Sequence, residues 1–196
     1  MNQNLDTTSS AFPIFHLDNY DLRKIQAKDI HTIFAGLSHP DVIAHYGVSY
    51  QSLEATQEQM HWYEQLLLER KGIWWGIARR DNDELVGACG LNDWRPDDHR
   101  IDLGYWLLPD YWRRGIMQRG LPHILRYAFV HMNIHRVHAD VEPENLASFQ
   151  LLRKLGFVHE GTLRDVEYKG GRYLSLHQLS LIKTDPGVVA LVQGAI

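Results

Sequence analysis

The sequence predicts a single mixed α/β (α+β) domain in which helices flank a central sheet of about six to seven strands. Three observations support this prediction. The chain has 196 residues, a length usual for one domain. Strand patterns and helix patterns alternate along it, and neither a repeat of fixed period nor an interior linker divides it. We place the domain at residues 18–183, with a flexible segment at 1–17 and a tail at 184–196.

Residue spacing and capping signals predict the elements of this domain in order. The first half has a strand at 20–28, a helix capped by Asp29 and ended by His39-Pro40, a helix from Ser52 to about Lys71, and hairpin strands at 73–80 and 85–91. The second half has a strand at 101–108, a helix after Gly115, a strand at 136–141, a helix at 145–155, and hairpin strands at 157–168 and 172–183 around Gly170-Gly171. Trp74 and Trp75 fall on opposite faces of one strand.

Composition and charge exclude several classes of protein. Hydrophobic residues make up 44% of the chain and charged residues 22%, which is typical of a soluble globular protein and not of a disordered one. The net charge of −4 argues against a nucleic-acid binder, because neutralising phosphates requires a basic surface. No apolar run approaches the roughly 20 residues that span a bilayer. The first residues have neither a basic nor an apolar region of the secretory type, so we expect a cytoplasmic protein.

Cysteine and histidine usage predicts no metal site. The single cysteine, Cys89, permits neither an internal disulfide nor a cysteine-based zinc site, and its apolar neighbours indicate a small buried side chain. The chain has 12 histidines, of which His131 and His135 are four residues apart. A predicted helix end lies between these two, and no carboxylate or cysteine clusters with them. We therefore expect no bound metal.

The segment from Leu107 to Met117 carries the first chemical signal. A strand is followed by a turn with Gly115 and then by a helix, an arrangement that aims backbone N–H groups at a pyrophosphate. Arg113 and Arg114 would add charge-assisted donors at the same place. The alternative is an ordinary strand–helix connection with Gly115 at positive φ. No Gly-Lys-Ser/Thr follows the turn, and the three glycines of a dinucleotide-binding fingerprint are absent.

Further motifs accompany this turn. They are Leu103-Gly104-Tyr105-Trp106 on the preceding strand, Trp112-Arg113-Arg114-Gly115-Ile116-Met117 in the turn, and the run Asn145…Ser148…Gly156-Phe157. Together they resemble the GNAT superfamily of acetyl-CoA-dependent N-acetyltransferases, and most closely its RimJ/RimL branch of ribosomal-protein N-terminal acetyltransferases. The resemblance covers residues 18–183.

Two features depart from the family pattern. The turn of the family is commonly Gln/Arg-x-x-Gly-x-Gly/Ala, whereas Trp112 and Met117 hold the outer positions here. Side-chain roles at these two positions are therefore not carried over. Pro122 lies early in the helix after the turn, where it removes a backbone donor and should kink the helix or delay its regular part.

The resemblance implies a sheet splayed between its fourth and fifth strands, with the pantetheine arm of acetyl-CoA in the wedge. It implies that the pantetheine amides pair with the strand edge near Leu107 and Leu108, that the pyrophosphate lies on the turn, and that Asn145 binds the pantetheine arm. The cofactor-binding residues that it implies are Leu107, Leu108, Arg113, Arg114, Gly115, Ile116, Met117, Asn145 and Ser148.

The resemblance also implies two catalytic residues. Ser148 would be the general acid that protonates the departing CoA thiolate, the alternative being a serine that satisfies local backbone groups at a helix start. Tyr168 is the next candidate for that acid. Glu167 would be the general base, acting on the amine directly or through a water. Strand alternation places Asp165 on the same face as Glu167 and makes it the reserve candidate.

The implied reaction is direct attack of an amine on acetyl-CoA. A peptide α-amine, with a pKa of about 7.7–8.0, is far more often neutral at physiological pH than a lysine at about 10.4, which favours a protein N-terminus as the acceptor. The alternatives are a small amine, such as a polyamine, an amino sugar or an antibiotic, and a non-catalytic acyl-CoA-binding module. The presence of both Ser148 and Glu167 argues against the binding module. The sequence leaves open the acceptor and whether the chain forms a homodimer.

Overall fold

A mixed sheet with helices on both faces forms the protein, in a computed structural model that describes residues 12–193. The strands are β1 (Phe15–His16), β2 (Tyr20–Lys24), β3 (Ile73–Arg79), β4 (Leu85–Arg95), β5 (Arg100–Leu107), β6 (Arg136–Val141), β7 (Val158–Lys169) and β8 (Arg172–Ile182). The helices are α1 (Ile30–Leu37), α2 (Pro40–Ile43), α3 (Gln57–Leu68), α4 (Ile116–His131), α5 (Leu146–Lys154) and α6 (Pro186–Gln193). The predicted mixed α/β class is confirmed, and the two-residue strand β1 brings the described sheet to eight strands.

The sheet divides in its middle. Its order is β1-β2-β3-β4-β5-β6-β8-β7, and neighbouring strands are antiparallel except for β5 and β6, which run parallel. These two strands pair at three positions, and the last pair is Asp102 with His138. Beyond it β5 pairs only with β4, so a wedge opens toward Leu107 and Val141. The predicted splay is confirmed, because β5 and β6 are the fourth and fifth strands of the sequence pattern.

The larger core lies on one side of the sheet, which we call the α4 face. Helix α4 contributes an apolar stripe of Met117, Leu121, Ile124, Leu125, Ala128 and Phe129 to this core. The stripe packs on sheet residues that include Val86, Leu91, Ile101 and Val137. Burial of this apolar stripe is what holds α4, and the turn that precedes it, against the sheet.

A second core lies on the opposite side, which we call the α1 face. It is formed by Ile33, Leu37, Val42, Tyr63, Leu66, Trp74, Leu85, Ala88 and Trp106. The indole of Trp74 lies over Gly90 and Gly104, where an added Cβ atom would approach its ring carbons to 2.3 Å and 2.8 Å respectively. Trp75 belongs to the core of the α4 face instead, so the predicted opposite orientation of Trp74 and Trp75 is confirmed.

Both ends of the described chain pack on the domain. Of the segment predicted to be flexible, residues 1–11 lie outside the described residues, while Phe12 and Phe15 pack against Trp75 and Leu17 is buried. Apolar side chains thus hold residues 12–17 to the sheet. In the segment after residue 183, helix α6 buries Val188 in the core of the α4 face. The domain limits themselves stay a prediction.

Two helices begin at other places than the spacing suggested. The helix predicted from Ser52 begins at Gln57, because Ser52 Oγ instead accepts a hydrogen bond of 3.1 Å from the Ala55 N–H in a separate turn. Helix α4 begins directly after Gly115 and continues through Pro122, so the delayed start is absent. Even this helix is not both long and apolar enough to cross a membrane, and the same holds for every other helix within residues 12–193.

Candidate active site

The turn before α4 has the backbone geometry of an anion site. Arg113 has a φ of 58° and Gly115 a φ of 70°, and Gly115 is the residue that precedes the first turn of α4. The first intrahelical bond is donated by the Arg119 N–H to the Gly115 carbonyl, so the N–H groups of Ile116 and Met117 have no acceptor within the helix. N–H groups exposed in this way at a helix start bind phosphate oxygens.

Side chains of the turn divide into exposed cations and buried anchors. Arg113 and Arg114 are exposed, and the Arg114 guanidinium lies 5.1 Å from the ring centroid of Tyr111. Ile116 and Met117 bury their side chains in the core of the α4 face, so these two residues could contact a cofactor only through their backbone. The turn therefore combines fixed N–H donors with two flexible positive charges.

The edge of β5 is available at some residues and engaged at others. The Leu108 N–H donates to the Val86 carbonyl at 2.9 Å, and the Leu108 carbonyl accepts from the Tyr111 N–H at 2.9 Å. Hydrogen-bonding direction alternates along a strand, so Tyr105 and Leu107 direct their backbone groups to the open side of the wedge. The Leu108 N–H is thus already engaged and its carbonyl keeps one lone pair, so the pairing of Leu108 with pantetheine stays a prediction.

Trp112 has a role at this edge that the sequence did not indicate. Its indole Nε1 donates a hydrogen bond of 2.8 Å to the Leu107 carbonyl. This bond fixes the turn to the last residue of β5 and occupies one of the two lone pairs of that carbonyl. The unusual tryptophan at the start of the turn therefore orients the strand edge next to the anion site.

Helix α5 begins at the wedge. Asn145 caps it, and its Oδ1 accepts a hydrogen bond of 3.1 Å from the Ser148 N–H. Since this oxygen serves the cap, the Nδ2 group is the part of Asn145 that could donate to a pantetheine arm. The predicted start of the helix at Asn145 agrees with the structure within one residue.

The hydroxyl of Ser148 meets a second hydroxyl across the wedge. Ser148 Oγ and Tyr105 Oη share a hydrogen bond of 2.7 Å, which joins the start of α5 to β5. Burial raises the pKa of Tyr105 to about 12, against a smaller lowering by the bond with Ser148, so the phenol keeps its proton at physiological pH. Tyr105 was part of the sequence motif without a role. Its period-two spacing from Leu103 and Leu107 would have placed it on the α4 face.

Cys89 offers no competing nucleophile. Its side chain is buried in the core of the α4 face, as the sequence predicted, and burial raises the pKa of its thiol to about 12. A thiol with this pKa stays protonated at neutral pH and is a poor nucleophile. An acyl-cysteine intermediate at this residue is therefore unsupported.

Glu167 lies on the other side of the sheet from Ser148. It pairs across the hairpin with Leu174, and Lys169 pairs with Arg172. Residues paired in this way share a face, and the contacts of Lys169 with the segment after α2 show that this is the α1 face. The Glu167 side chain is exposed and, among residues 12–193, forms no hydrogen bond or ion pair.

Asp165 does not follow the alternation that made it the reserve base. The register of β7 against β8 shifts between Leu163 and Glu167, and Asp165 has a φ of 52°. Its N–H donates to Ser175 Oγ at 3.1 Å. Period-two spacing fails across a bulge, so the expectation that Asp165 and Glu167 share a face has no basis here.

A buried carboxylate, Glu142, follows β6 at the open end of the wedge and is 7% exposed. Its Oε2 accepts a hydrogen bond of 2.9 Å from His45 Nδ1 and lies 3.9 Å from the Arg172 guanidinium. Its Oε1 lies 3.6 Å from Lys169 Nζ. The charge of Glu142 is therefore compensated by neighbours within the chain, as a buried carboxylate requires.

Tyrosines form a wall beside this carboxylate on the α1 face. Tyr46 and Tyr50 pack against the core that contains Tyr63 and Trp106, and the Trp106 Nε1 donates to Tyr63 Oη at 3.4 Å. Burial raises the pKa of Tyr46, Tyr50 and Tyr63. The hydroxyls of these three tyrosines therefore stay neutral at physiological pH. Trp106, which belongs to the sequence motif on the preceding strand, lies in the core of the α1 face.

A metal centre is not indicated. Within residues 12–193, no three histidine, cysteine, aspartate or glutamate side chains are grouped so that they could hold an ion. His131 is the last residue of α4, and His135 lies beyond the helix.

Comparison with known proteins agrees with this geometry. Residues 20–158 match the family described as acetyltransferase (GNAT) domain. The uncharacterized N-acetyltransferase YoaA of Bacillus subtilis (strain 168) is 34% identical over 173 residues, which cover 88% of this chain and 98% of that protein.

Two solved structures illustrate the fold. RimL, a ribosomal L7/L12 alpha-N-protein acetyltransferase in complex with coenzyme A, has a TM-score of 0.78 at 20% identity, covering 87% of this chain and 98% of that one. A spermidine N-acetyltransferase from Vibrio cholerae, in complex with CoA and spermine, has a TM-score of 0.76 at 18% identity, covering 85% and 97%. At these identities the likeness concerns the fold. The family match and the relative in Bacillus carry the assignment: the chain belongs to the acetyltransferase (GNAT) family and is an N-acetyltransferase that uses acetyl-CoA.

Proposed function

We propose that the protein acetylates the N-terminal α-amine of a protein, with acetyl-CoA bound in the wedge between β5 and β6. The observation that carries this proposal is the distribution of proton-transfer groups around the wedge. The Ser148–Tyr105 hydroxyl pair lies on the α4 face, and Glu167 lies on the α1 face. A thioester held between the strands would thus have a proton donor on one side and a proton acceptor on the other.

In this proposal acetyl-CoA is held mainly by backbone groups. The pantetheine arm would pair with the edge of β5 at Tyr105 and Leu107, and Asn145 Nδ2 would donate to it from α5. The pyrophosphate would accept hydrogen bonds from the turn at residues 113–117, with Arg113 and Arg114 as added donors.

The proposed reaction is a direct transfer. The neutral amine attacks the thioester carbonyl from the α1 face, and Glu167 takes a proton from the amine directly or through a water. The tetrahedral intermediate then collapses, the C–S bond breaks, and the CoA thiolate takes a proton from Ser148. Tyr105, which is protonated at physiological pH, returns a proton to Ser148 across their hydrogen bond. Solvent then takes the proton from Glu167 and returns one to Tyr105, so that overall one proton passes from the amine to the sulfur. The products are the acetylated amine and free CoA.

The charges around the cleft favour an acceptor with a single amine. The buried carboxylate Glu142 already accepts a hydrogen bond from His45 and lies beside the cations of Lys169 and Arg172, so it is not available to a polycation. An α-amine, with a pKa of about 7.7–8.0, also needs less help from a base than a lysine or polyamine nitrogen. A spermidine N-acetyltransferase shares the fold, which makes a small amine the alternative to be tested.

The acceptor class can be tested by the release of free CoA thiol from acetyl-CoA. We would supply peptides with a free N-terminus, the same peptides with a blocked N-terminus and an internal lysine, and spermidine. We expect turnover with the free N-terminus and little with the other two. Faster turnover with spermidine would assign the small-amine alternative, and turnover of the blocked peptides would assign lysine acetylation.

The cofactor site predicts the effect of Gly115→Val. A β-branched residue at a φ of 70° is strained, and its Cβ atom would approach Arg119 Nη1 to 2.9 Å, so the turn should change shape. We expect the affinity for acetyl-CoA, measured by calorimetry, to fall at least about tenfold, since each lost charge-assisted contact is worth about 1.5–3 kcal/mol. Gly161→Val is the matched control, because Gly161 has open space around its Cβ position. Unchanged affinity in folded Gly115→Val would place the pyrophosphate elsewhere.

The hydroxyl pair predicts a graded loss in kcat. Ser148→Ala removes the proposed acid and should lower kcat about 100-fold or more, with little change in the affinity for acetyl-CoA. Tyr105→Phe keeps Ser148 and should lower kcat less. Tyr127→Phe, on α4 away from the wedge, serves as control. A near-normal kcat in Ser148→Ala would exclude Ser148 as the acid and leave it only a structural role in the first turn of α5.

Glu167→Gln should change the pH profile. The substitution keeps the shape of the side chain and deletes the base, so kcat/KM should fall most at low pH, where the amine is mainly protonated, and least at high pH. The control is Glu84→Gln in the turn between β3 and β4, where the side chain is exposed. A pH profile of Glu167→Gln that superimposes on that of the wild type would rule out Glu167 and leave bulk water as the proton acceptor.

A further inference from the structure

One ammonium group joins three separate parts of the chain on the α1 face. Lys169, the last residue of β7, donates from Nζ to the carbonyls of Ile43 at 2.9 Å, Ala44 at 3.2 Å and Tyr46 at 3.0 Å. An ammonium has three N–H donors, so these carbonyls use all of them. The same Nζ lies 3.6 Å from the buried Glu142 carboxylate. The hairpin, the segment after α2 and the end of β6 meet at this point.

The buried carboxylate of Glu142 also takes part in this junction. It is 7% exposed, and besides Lys169 it contacts His45 of the same segment and Arg172 of the same hairpin. The side chain of Lys169 is 35% exposed, so its contacts are partly shielded from solvent. A buried carboxylate that loses one of its cations is left with uncompensated charge, which makes the junction sensitive to single substitutions. We call the contacts of Lys169 with Glu142 and with residues 43–46 the clasp.

The clasp borders the proposed reaction site on both sides. Lys169 is two residues from Glu167 on the same strand and the same face. Glu142 is three residues before Asn145, which caps the helix that carries Ser148. The segment at 43–46 carries Tyr46, which is part of the tyrosine wall. Closing or opening the clasp would therefore change the distance between the wall and the hairpin.

We propose that Lys169 is a positioning residue that holds the acceptor cleft closed around the amine substrate. This inference rests on the proposed function. The clasp would set the fraction of molecules in which the tyrosine wall and the hairpin are positioned to bind the acceptor. When this fraction falls, the apparent affinity for the acceptor falls in proportion. No hydrogen bond or ion pair of the Lys169 side chain involves the edge of β5 or the turn at residues 113–117, whereas the Glu142 backbone is joined to the proposed cofactor-binding residue Asn145, whose N–H donates to the Glu142 carbonyl at 2.9 Å. Lys169 thus acts on acceptor binding and not on the cofactor.

The test is the kinetics of Lys169→Met, which keeps the aliphatic stem and removes the ammonium. We expect the KM for the acceptor peptide to rise about tenfold or more, with kcat within about twofold of the wild type and an unchanged acetyl-CoA affinity by calorimetry. Lys28→Met is the matched control, because Lys28 forms an exposed ion pair with Asp83 far from the clasp. Lys169→Arg should restore part of the acceptor affinity, since a guanidinium keeps the charge but not the three-way geometry.

Glu142→Gln tests the same junction from the other side. It keeps the shape of the side chain and removes its charge, and it should also raise the acceptor KM. If Lys169→Met does not fold, Lys169→Arg and Glu142→Gln carry the test. Acceptor KM values unchanged in the folded variants would overturn the proposal. A parallel loss of acetyl-CoA affinity would also overturn it, because it would show a general structural role.

The inference can fail separately from the proposed function. If the wild-type protein acetylates none of the amines supplied, the proposed acceptor class is wrong. Amide hydrogen exchange then tests independently whether Lys169 holds residues 43–46. Exchange of the amides at residues 43–50 should then be faster in Lys169→Met than in the wild type, and unchanged in Lys28→Met. Equal exchange in all three proteins would show that Lys169 does not hold this segment.

Discussion

The parting of β5 from β6 is the constraint on which the rest of the site depends. The two strands pair up to Asp102 and His138 and then separate, so the backbone groups at the following residues of β5 lack a strand partner on that side. Such groups must be satisfied by something else. The Leu107 carbonyl accepts a hydrogen bond from Trp112 Nε1, and the amides of a pantetheine arm could pair with the other backbone groups on this side of β5. The wedge is therefore a gap in the sheet whose β5 edge offers backbone hydrogen-bonding groups to a ligand.

In the proposed mechanism the wedge also separates the two proton transfers. Ser148 and Tyr105 reach it from the α4 face, while Glu167 belongs to the α1 face. In that mechanism a carbonyl between the two faces is attacked from the α1 face, while its leaving group is protonated from the α4 face. The same sheet that divides these roles buries an apolar core on each face, so the positions of these groups follow from packing.

Local signals in the sequence were sufficient for the elements and the turn. Gly115, Asn145 and the Gly170-Gly171 hairpin could be predicted because their chemistry acts within a few residues. The contact of Tyr105 with Ser148 spans 43 residues, and that of Lys169 with Ile43 spans 126, so neither follows from spacing alone. Such contacts depend on the register of β7 with β8 and on the parallel crossover to β6. The bulge at Asp165 and the engagement of Leu108 by Val86 escaped prediction for the same reason.

The central claim is that a thioester in the wedge is served from two faces. A crystal structure with a bisubstrate compound, in which CoA is joined through an acetyl bridge to the α-nitrogen of a peptide, tests it most directly. The account predicts that the sulfur lies within hydrogen-bond distance of Ser148 Oγ, and that the nitrogen emerges on the α1 face toward Glu167, between the hairpin and residues 43–46. A peptide that leaves the wedge on the α4 face, or a sulfur remote from Ser148, would contradict the account.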